Sequence, residues 1–197
     1  FGSIPTGKAI RRSGAKPGED IWVSGTTGDA RLTLAALRHE IAISEADLRH
    51  IEHRMHDPIP RVDLGYRLRN IASAALDVSD GLLGDLQHLL NQSQVSAEIF
   101  LERIPKSSIL KKQAEDIQNQ FAACGGDDYE ICFTAPVAQR HVIEAISKDL
   151  NLPITRIGQT IEMNNSQATV RLFKTDGSLI GDTEAATYLK SFDHFAS

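Results

Sequence analysis

Apolar residues along the chain follow two spacings, one typical of α-helices and the other typical of β-strands. The helical spacing predicts helices at about residues 29–40, 45–55, 64–72, 80–91 and 137–150, and a polar segment at 111–120 is expected to form a surface helix. Short apolar or alternating segments predict strands at residues 20–24, 74–78, 97–101, 129–134, 154–161 and 168–174. Strands mixed with helices in this irregular order favour an α+β fold, a sheet with layers of helices.

Residues 75–83 place two carboxylates and a hydroxyl where a predicted strand gives way to a predicted helix. Ser79 is positioned to be the helix N-cap, and Asp77, Ser79 and Asp80 are expected to face the start of that helix. Two carboxylates this close repel each other unless a cation lies between them, and their oxygens suit Mg²⁺. The motif therefore predicts a magnesium site able to hold phosphates. An ordinary capped helix with a polar first turn would show the same residues.

Residues 124–134 form a second acidic motif, in which two glycines and two aspartates precede an apolar segment. Glycine permits positive φ angles or a close approach of the backbone to a ligand. We expect Asp127 and Asp128 to project from a loop on a rigid scaffold, where binding groups are often found. A strand-entry turn with solvated acids would give the same pattern.

The composition is that of an ordinary globular domain. The chain has 197 residues, of which 41% are hydrophobic and 24% charged, enough for one substantial core. A net charge of −5, without a basic segment containing aromatic residues, argues against nucleic-acid binding. No apolar segment is long enough to cross a bilayer, so we expect no membrane partner. Cys124 and Cys132 are a poor basis for a disulfide framework, and we expect reduced thiols and a cytoplasmic location.

Together the two acidic motifs make a specific pattern. The chain resembles the C-terminal part of the thiamine-monophosphate kinases, which belong to the superfamily that includes aminoimidazole-ribotide synthetase. The resemblance covers nearly the whole chain, and the acidic motifs and the C-terminal segment are its most discriminating parts. Its landmarks are residues 4–9, 12–20, 23–26, 28–29, 77–82, 125–133 and 192–195.

The resemblance implies a metal and nucleotide site. Asp77 and Asp80 are expected to ligate Mg²⁺, Ser79 to contact the nucleotide, and Arg12 to bind the phosphates of ATP. A guanidinium group matches phosphate oxygens better than an ammonium group does. Phosphoryl transfer depends mainly on positioning and charge neutralisation, so clustered carboxylates with Mg²⁺ fit the reaction and no protein nucleophile is expected.

The resemblance also implies two contacts with the thiamine substrate. Asp127 stands where the family usually has glutamate, and its side chain is shorter by one methylene, so a water-mediated contact is expected. Phe192 stands where relatives often have tyrosine; a ring contact with the substrate would survive that change, whereas a hydroxyl hydrogen bond would not. Packing of the C-terminal segment is the alternative role for Phe192.

The fold implied by the resemblance is a mixed β-sheet flanked by helices in α/β/α layers, like the C-terminal domain of aminoimidazole-ribotide synthetase. Residues 1–16 are expected to be a linker from an N-terminal ATP-binding domain, and residues 17–197 the C-terminal domain. The family transfers the γ-phosphoryl group of ATP to thiamine monophosphate, giving thiamine diphosphate and ADP. The fragment alone is expected to be inactive and monomeric, and the full-length protein to be a homodimer.

Two other functions stay open. Another enzyme of the superfamily, of the hydrogenase-maturation or selenophosphate-forming type, would share the fold. A non-catalytic binding module could also keep the fold, although the intact residues Asp77, Ser79, Asp80 and Arg12 argue against it.

Two further motifs are interpreted as structural. Residues 25–29 lack the lysine of a P-loop and are expected to be a strand-to-helix turn. His50, His53 and His56 lack the further ligands of a zinc site and are expected to form a solvated helix end.

Overall fold

The computed structural model describes residues 4–164, 166–174 and 176–189, and within them it contains a six-stranded sheet and eight α-helices. The strands are β1 (Asp20–Ser24), β2 (Ala74–Val78), β3 (Val95–Phe100), β4 (Glu130–Ala135), β5 (Ile154–Glu162) and β6 (Val170–Phe173). The helices are α1 (Asp29–Leu37), α2 (Glu45–Ile51), α3 (His53–His56), α4 (Val62–Arg67), α5 (Leu82–Ser93), α6 (Glu115–Cys124), α7 (Arg140–Asp149) and α8 (Asp182–Tyr188).

The strand order is β2-β4-β1-β5-β3-β6, and each neighbouring pair is antiparallel except β3 and β6, which are parallel. The sheet is therefore mixed, as expected. Alternating strand directions bring the end of β2, the start of β4, the end of β1 and the start of β5 to one edge of the sheet. Loops that follow β2 and precede β4 consequently meet at that edge.

Helices pack on both faces of the sheet and divide the hydrophobic core in two. On one face, α5 buries the five leucines that predicted it, Leu82, Leu83, Leu86, Leu89 and Leu90. On the other face, Ile143 and Ile146 of α7 lie in a cluster with Trp22 and Phe133. Each large apolar side chain buried in this way contributes about 1.5–3 kcal/mol of stability. This arrangement confirms the predicted α+β class with helical layers.

The structure differs from the predicted helices at several bounds, and α8 was not predicted. The helix predicted from residue 80 begins at Leu82, and the one predicted at 45–55 is divided into α2 and α3. The polar helix predicted at 111–120 lies at Glu115–Cys124 and buries Phe121, because the apolar residues that hold it to the core follow the polar segment. In the described part of the chain, every helix is too short or too polar to span a membrane.

Candidate functional site

Two main-chain hydrogen bonds join the two acidic motifs at the edge of the sheet. The N–H of Asp127 donates to the carbonyl oxygen of Ser79 at 2.8 Å, and the N–H of Tyr129 donates to that of Val78 at 2.8 Å. Both bonds extend the antiparallel pairing of β2 with β4, in which Asp77 lies opposite Ile131. Motifs about fifty residues apart in the sequence therefore form one surface. We call this surface, formed by Asp77, Ser79, Asp80 and Asp127, the acidic face.

The three carboxylates of the acidic face all act on one neighbouring phenol, that of Tyr129. Asp77 and Asp80 are exposed and Asp127 is half-buried. Desolvation raises the pKa of the Tyr129 phenol, and the negative charges of Asp127, Asp77 and Asp80 raise it further. The Tyr129 hydroxyl also donates a hydrogen bond to Asp127 Oδ1 at 3.3 Å. Three acids that act on one phenol form a concentrated negative potential, which favours a bound cation.

The backbone of the acidic face is held by Asp85 of α5. Asp85 Oδ2 accepts hydrogen bonds from the N–H groups of Ser79 at 2.8 Å and Asp80 at 3.0 Å. Burial raises the pKa of Asp85 and repulsion from Asp80 and Asp77 adds to that rise, whereas the two N–H bonds oppose it. Asp85 was not predicted as a site residue, because its position within an amphipathic helix gives no sign of a partner outside that helix.

The prediction that Ser79 caps the helix is wrong. The N-cap residue is Gly81, with φ 110° and ψ 137°, which has no side chain with which to cap this helix end. A Cβ atom on Gly81 would lie 2.9 Å from backbone atoms of Cys124, so glycine is needed where these segments cross. Ser79 lies two residues before this N-cap, and its own N–H, like that of Asp80, is bound by Asp85.

Arg12 reaches the acidic face from the N-terminal segment. The carbonyl oxygen of Arg11 accepts from the N–H of Ala75 at 2.9 Å, and that of Arg12 accepts from the Ser93 hydroxyl at 3.1 Å. These bonds hold the segment beside β2, with Arg12 Nη2 3.8 Å from Asp77 Oδ1. Both side chains are exposed, so this ion pair is weak and leaves both groups accessible to a ligand.

The prediction that Asp128 projects from a loop is wrong. Asp128 is buried, and both its carboxylate oxygens accept from the N–H of Gly28, at 2.9 and 3.0 Å. Gly28 precedes α1 and has φ 91°, so Asp128 satisfies an N–H group at the start of a helix far away in the sequence. Desolvation raises the pKa of Asp128 well above its ordinary value. Residues 25–29 form the predicted strand-to-helix turn.

Glu130, the first residue of β4, forms a buried ionic cluster that sequence reasoning missed. Its carboxylate accepts hydrogen bonds from Arg54, Arg61 and the hydroxyl of Ser24, at distances between 2.6 and 2.8 Å. A buried carboxylate requires such partners. A glutamate at the start of an apolar strand was the available signal, but the sequence did not show which arginines would meet it.

The other predicted positions are simpler. Phe192 lies outside the described residues. His50, His53 and His56 are exposed, as predicted for a solvated helix end. Neither Cys124 nor Cys132 forms a disulfide bond within the described residues, and burial raises the pKa of Cys132 to about 12. Within residues 4–164, 166–174 and 176–189, no three ligating side chains are close enough to hold a metal ion by themselves.

Comparison with known proteins shows the family to which the chain belongs. The family described as AIR synthase related protein, C-terminal domain, matches residues 16–171. A thiamine-monophosphate kinase of Salmonella typhimurium is 42% identical over 160 residues, which cover 80% of this chain and 49% of the relative. The chain spans about half the length of the curated relatives it matches.

Solved structures give the same result. The crystal structure of thiamine-monophosphate kinase from Stenotrophomonas maltophilia has a TM-score of 0.79 and 40% identity, covering 90% of this chain and 56% of that one. The structure of AaThiL complexed with AMPPCP and TMP has a TM-score of 0.71 and 31% identity, covering 94% of this chain and 54% of that one.

A more distant structure shares the fold alone. Escherichia coli HypE, a hydrogenase maturation protein, has a TM-score of 0.67 and 19% identity, covering 91% of this chain and 53% of that one. The nearer relatives confirm the resemblance to the thiamine-monophosphate kinases. Together with the family match over most of its length, they establish that this chain belongs to the AIR synthase related proteins, whose C-terminal domain it contains.

Proposed function

We propose that this chain forms part of a thiamine-monophosphate kinase, which transfers the γ-phosphoryl group of ATP to thiamine monophosphate and yields thiamine diphosphate and ADP. The observation that carries the proposal is the acidic face, because the joined loops gather Asp77, Asp80 and Asp127 beside Arg12. The names of the similar proteins support the same reaction, and AaThiL was solved with AMPPCP and TMP.

The acidic face fits Mg²⁺ that is bound together with a nucleotide. Mg²⁺ in phosphoryl-transfer sites usually has one or two carboxylates, with phosphate oxygens and water completing the octahedron. Asp77 and Asp80 are two exposed carboxylates, and the described residues offer no complete cage. When bound, the metal would neutralise phosphate charge, while these aspartates hold it at the edge of the sheet.

The remaining residues have positioning roles in this proposal. Arg12 binds the phosphates of ATP through its guanidinium fork, and Asp85 keeps the Ser79 and Asp80 backbone in place for the nucleotide and metal. Asp127 contacts the thiamine moiety, and Phe192 adds a ring contact. The substrate phosphate is the nucleophile, so no covalent protein intermediate is required.

The coverage of the relatives supports a longer protein. This chain matches about half of each curated relative, so we propose that an N-terminal domain supplies further metal and nucleotide ligands. In this proposal residues 1–16 link the two domains, the full-length protein is a cytoplasmic homodimer, and residues 1–197 alone are monomeric. The isolated chain is expected to form no more thiamine diphosphate than its Asp77→Ala, Asp80→Ala double variant.

The test measures ATP-dependent formation of thiamine diphosphate by the full-length protein. We expect Asp77→Asn and Asp80→Asn each to lower kcat by at least about a hundredfold and to raise the Mg²⁺ concentration needed for half-maximal rate. Asp149→Asn is the matched control, because the Asp149–Arg67 pair has the same 3.8 Å separation as Asp77–Arg12, and Asp149 and Asp77 are 62% and 64% exposed. Parent-like kinetics in Asp77→Asn and Asp80→Asn would exclude the proposed metal site.

The competing enzymes can be separated in the same assay. A hydrogenase-maturation or selenophosphate-forming enzyme would consume ATP without forming thiamine diphosphate from thiamine monophosphate. A non-catalytic module would bind the nucleotide without consuming it. The higher identity to thiamine-monophosphate kinases than to HypE favours the first assignment.

A further inference from the structure

A cavity lies at the same edge of the sheet as the acidic face, but beyond the end of β1. Its volume is about 720 Å³, which is in the range of sites for small metabolites. The cavity is bounded by the segment that follows β3, by α6 and by the start of β5. None of the four residues of the acidic face lines it.

Two polar side chains line this cavity although they are almost completely buried. Lys106 and Asn119 are each only 8% exposed. Neither the Lys106 ammonium group nor the Asn119 amide has a hydrogen bond or ion pair with any residue in the described ranges. Their polar ends are not fully buried and open onto the cavity. Polar groups in such a recess are normally hydrogen-bonded, and charged groups are normally paired. Two unpartnered groups on one cavity therefore indicate a ligand that supplies the missing acceptors.

Glu102 lines the same cavity and lacks a donor. Its Oε2 atom is buried and has no hydrogen-bond partner among the described residues, which leaves Oε1 as the oxygen open to the cavity. Desolvation lowers the pKa of Lys106, and the negative charge of Glu102 opposes this, so the two groups interact through space. They do not form an ion pair within the described part of the structure. A carboxylate that needs a donor and an ammonium group that needs an acceptor thus share one space without contacting each other.

We propose that this cavity binds a small zwitterionic metabolite, with its acidic group on Lys106 and Asn119 and its ammonium group on Glu102. The acidic group is either a carboxylate or a phosphate, since both accept from an ammonium group and an amide. The site is independent of the proposed kinase reaction, because its residues do not belong to the acidic face.

The test uses calorimetric titration of the full-length protein with two pairs of probes. β-Alanine and propionate differ by an ammonium group on a carboxylic acid, and phosphoethanolamine and ethyl phosphate differ in the same way on a phosphate ester. EDTA is present throughout, so that no metal on the acidic face can bind phosphate. We expect one zwitterion to bind, and to bind about tenfold more tightly than its partner without the ammonium group.

Variants then locate the binding. Lys106→Met keeps the length of the side chain, and we expect it to weaken binding of the zwitterion at least about tenfold while Tm stays the same or rises, because an unpaired buried charge is removed. Lys148→Met is the control, because Lys148 is exposed and does not line the cavity. The Glu102→Gln protein should bind the zwitterion and its partner without the ammonium group equally tightly.

Asn119→Ala provides a second variant that leaves the charge of Lys106 in place, and it too should weaken binding. Failure of all four probes to bind the parent protein at up to about 10 mM would overturn the proposal. So would unchanged binding in Lys106→Met and Asn119→Ala.

Discussion

The guanidinium group of Arg61 donates two hydrogen bonds to the carboxylate of Glu130, from Nε to Oε2 at 2.8 Å and from Nη2 to Oε1 at 2.6 Å. Arg54 Nη2 donates a third to Oε1 at 2.7 Å, and the Ser24 hydroxyl a fourth to Oε2 at 2.6 Å. The hydrogen bond with Glu130 raises the pKa of Arg61, so this guanidinium group stays charged. This cluster fixes the start of β4 next to the acidic face.

Glu130→Gln should destabilise the fold, because one amide cannot satisfy two half-buried guanidinium groups. We expect the free energy of unfolding to fall by about 3–5 kcal/mol, measured by urea denaturation. Glu45→Gln is the control, since Glu45 forms an exposed pair with Arg49 on α2 and should change stability by less than about 0.5 kcal/mol. Equal effects of the two substitutions would show that the buried cluster is not stabilising.

Gly81→Ala should disturb the junction between β2 and α5. The added Cβ atom would meet the Cys124 backbone at 2.9 Å, at a φ of 110° that alanine rarely adopts. We expect a loss of about 1–3 kcal/mol in urea denaturation. Gly65→Ala in α4 is the matched control, because nothing lies within 4 Å of the new Cβ atom and a helical alanine should add about 0.5–1 kcal/mol. A Gly81→Ala protein as stable as the parent would contradict the close packing.

Asp128 should make stability depend on pH. Desolvation raises its pKa in the folded state, so the folded protein holds this proton more tightly than the unfolded chain. Its contribution is therefore fully present below the unfolded-state pKa and is lost as the pH rises through the folded-state pKa. Asp128→Asn cannot ionise, and urea denaturation between about pH 4 and pH 8 should show a smaller decline with rising pH. Asp63 is exposed, so Asp63→Asn is the control and should keep the parent's dependence of unfolding free energy on pH. The same pH dependence in Asp128→Asn as in the parent would contradict the prediction.

Arg12→Lys should weaken the use of ATP if the proposed function is right. Lysine keeps the charge but loses the planar fork that binds two phosphate oxygens, so we expect KM for ATP to rise about tenfold in steady-state kinetics. Arg67→Lys is the control, because Arg67 has a similar exposure and the same 3.8 Å distance to its aspartate partner. An unaltered KM for ATP in Arg12→Lys would remove this residue from the phosphate site.

The sequence alone determined the six strands, most of the helices and the family, but not α8 or the exact helix bounds. The five leucines of α5 predicted a helix because a helix repeats every three to four residues, and the apolar segments predicted the strands. The two acidic motifs identified the family because few families combine them in this order. Asp77, Asp80 and Asp127 were recognised as candidates for the same reason, as local spacing placed them beside the ends of strands.

The tertiary structure decided which acids face solvent and which are internal. Asp127 and Asp128 are neighbours in the sequence, yet only Asp128 is buried, where it accepts a hydrogen bond from the N–H of Gly28, a hundred residues away. Asp85 holds the loop in which Ser79 was expected to cap a helix, and Glu130 meets Arg54 and Arg61. Local spacing shows where an acidic residue lies in a helix or strand. Its hydrogen-bond partner comes from a distant segment that is brought close only by strand pairing and helix packing.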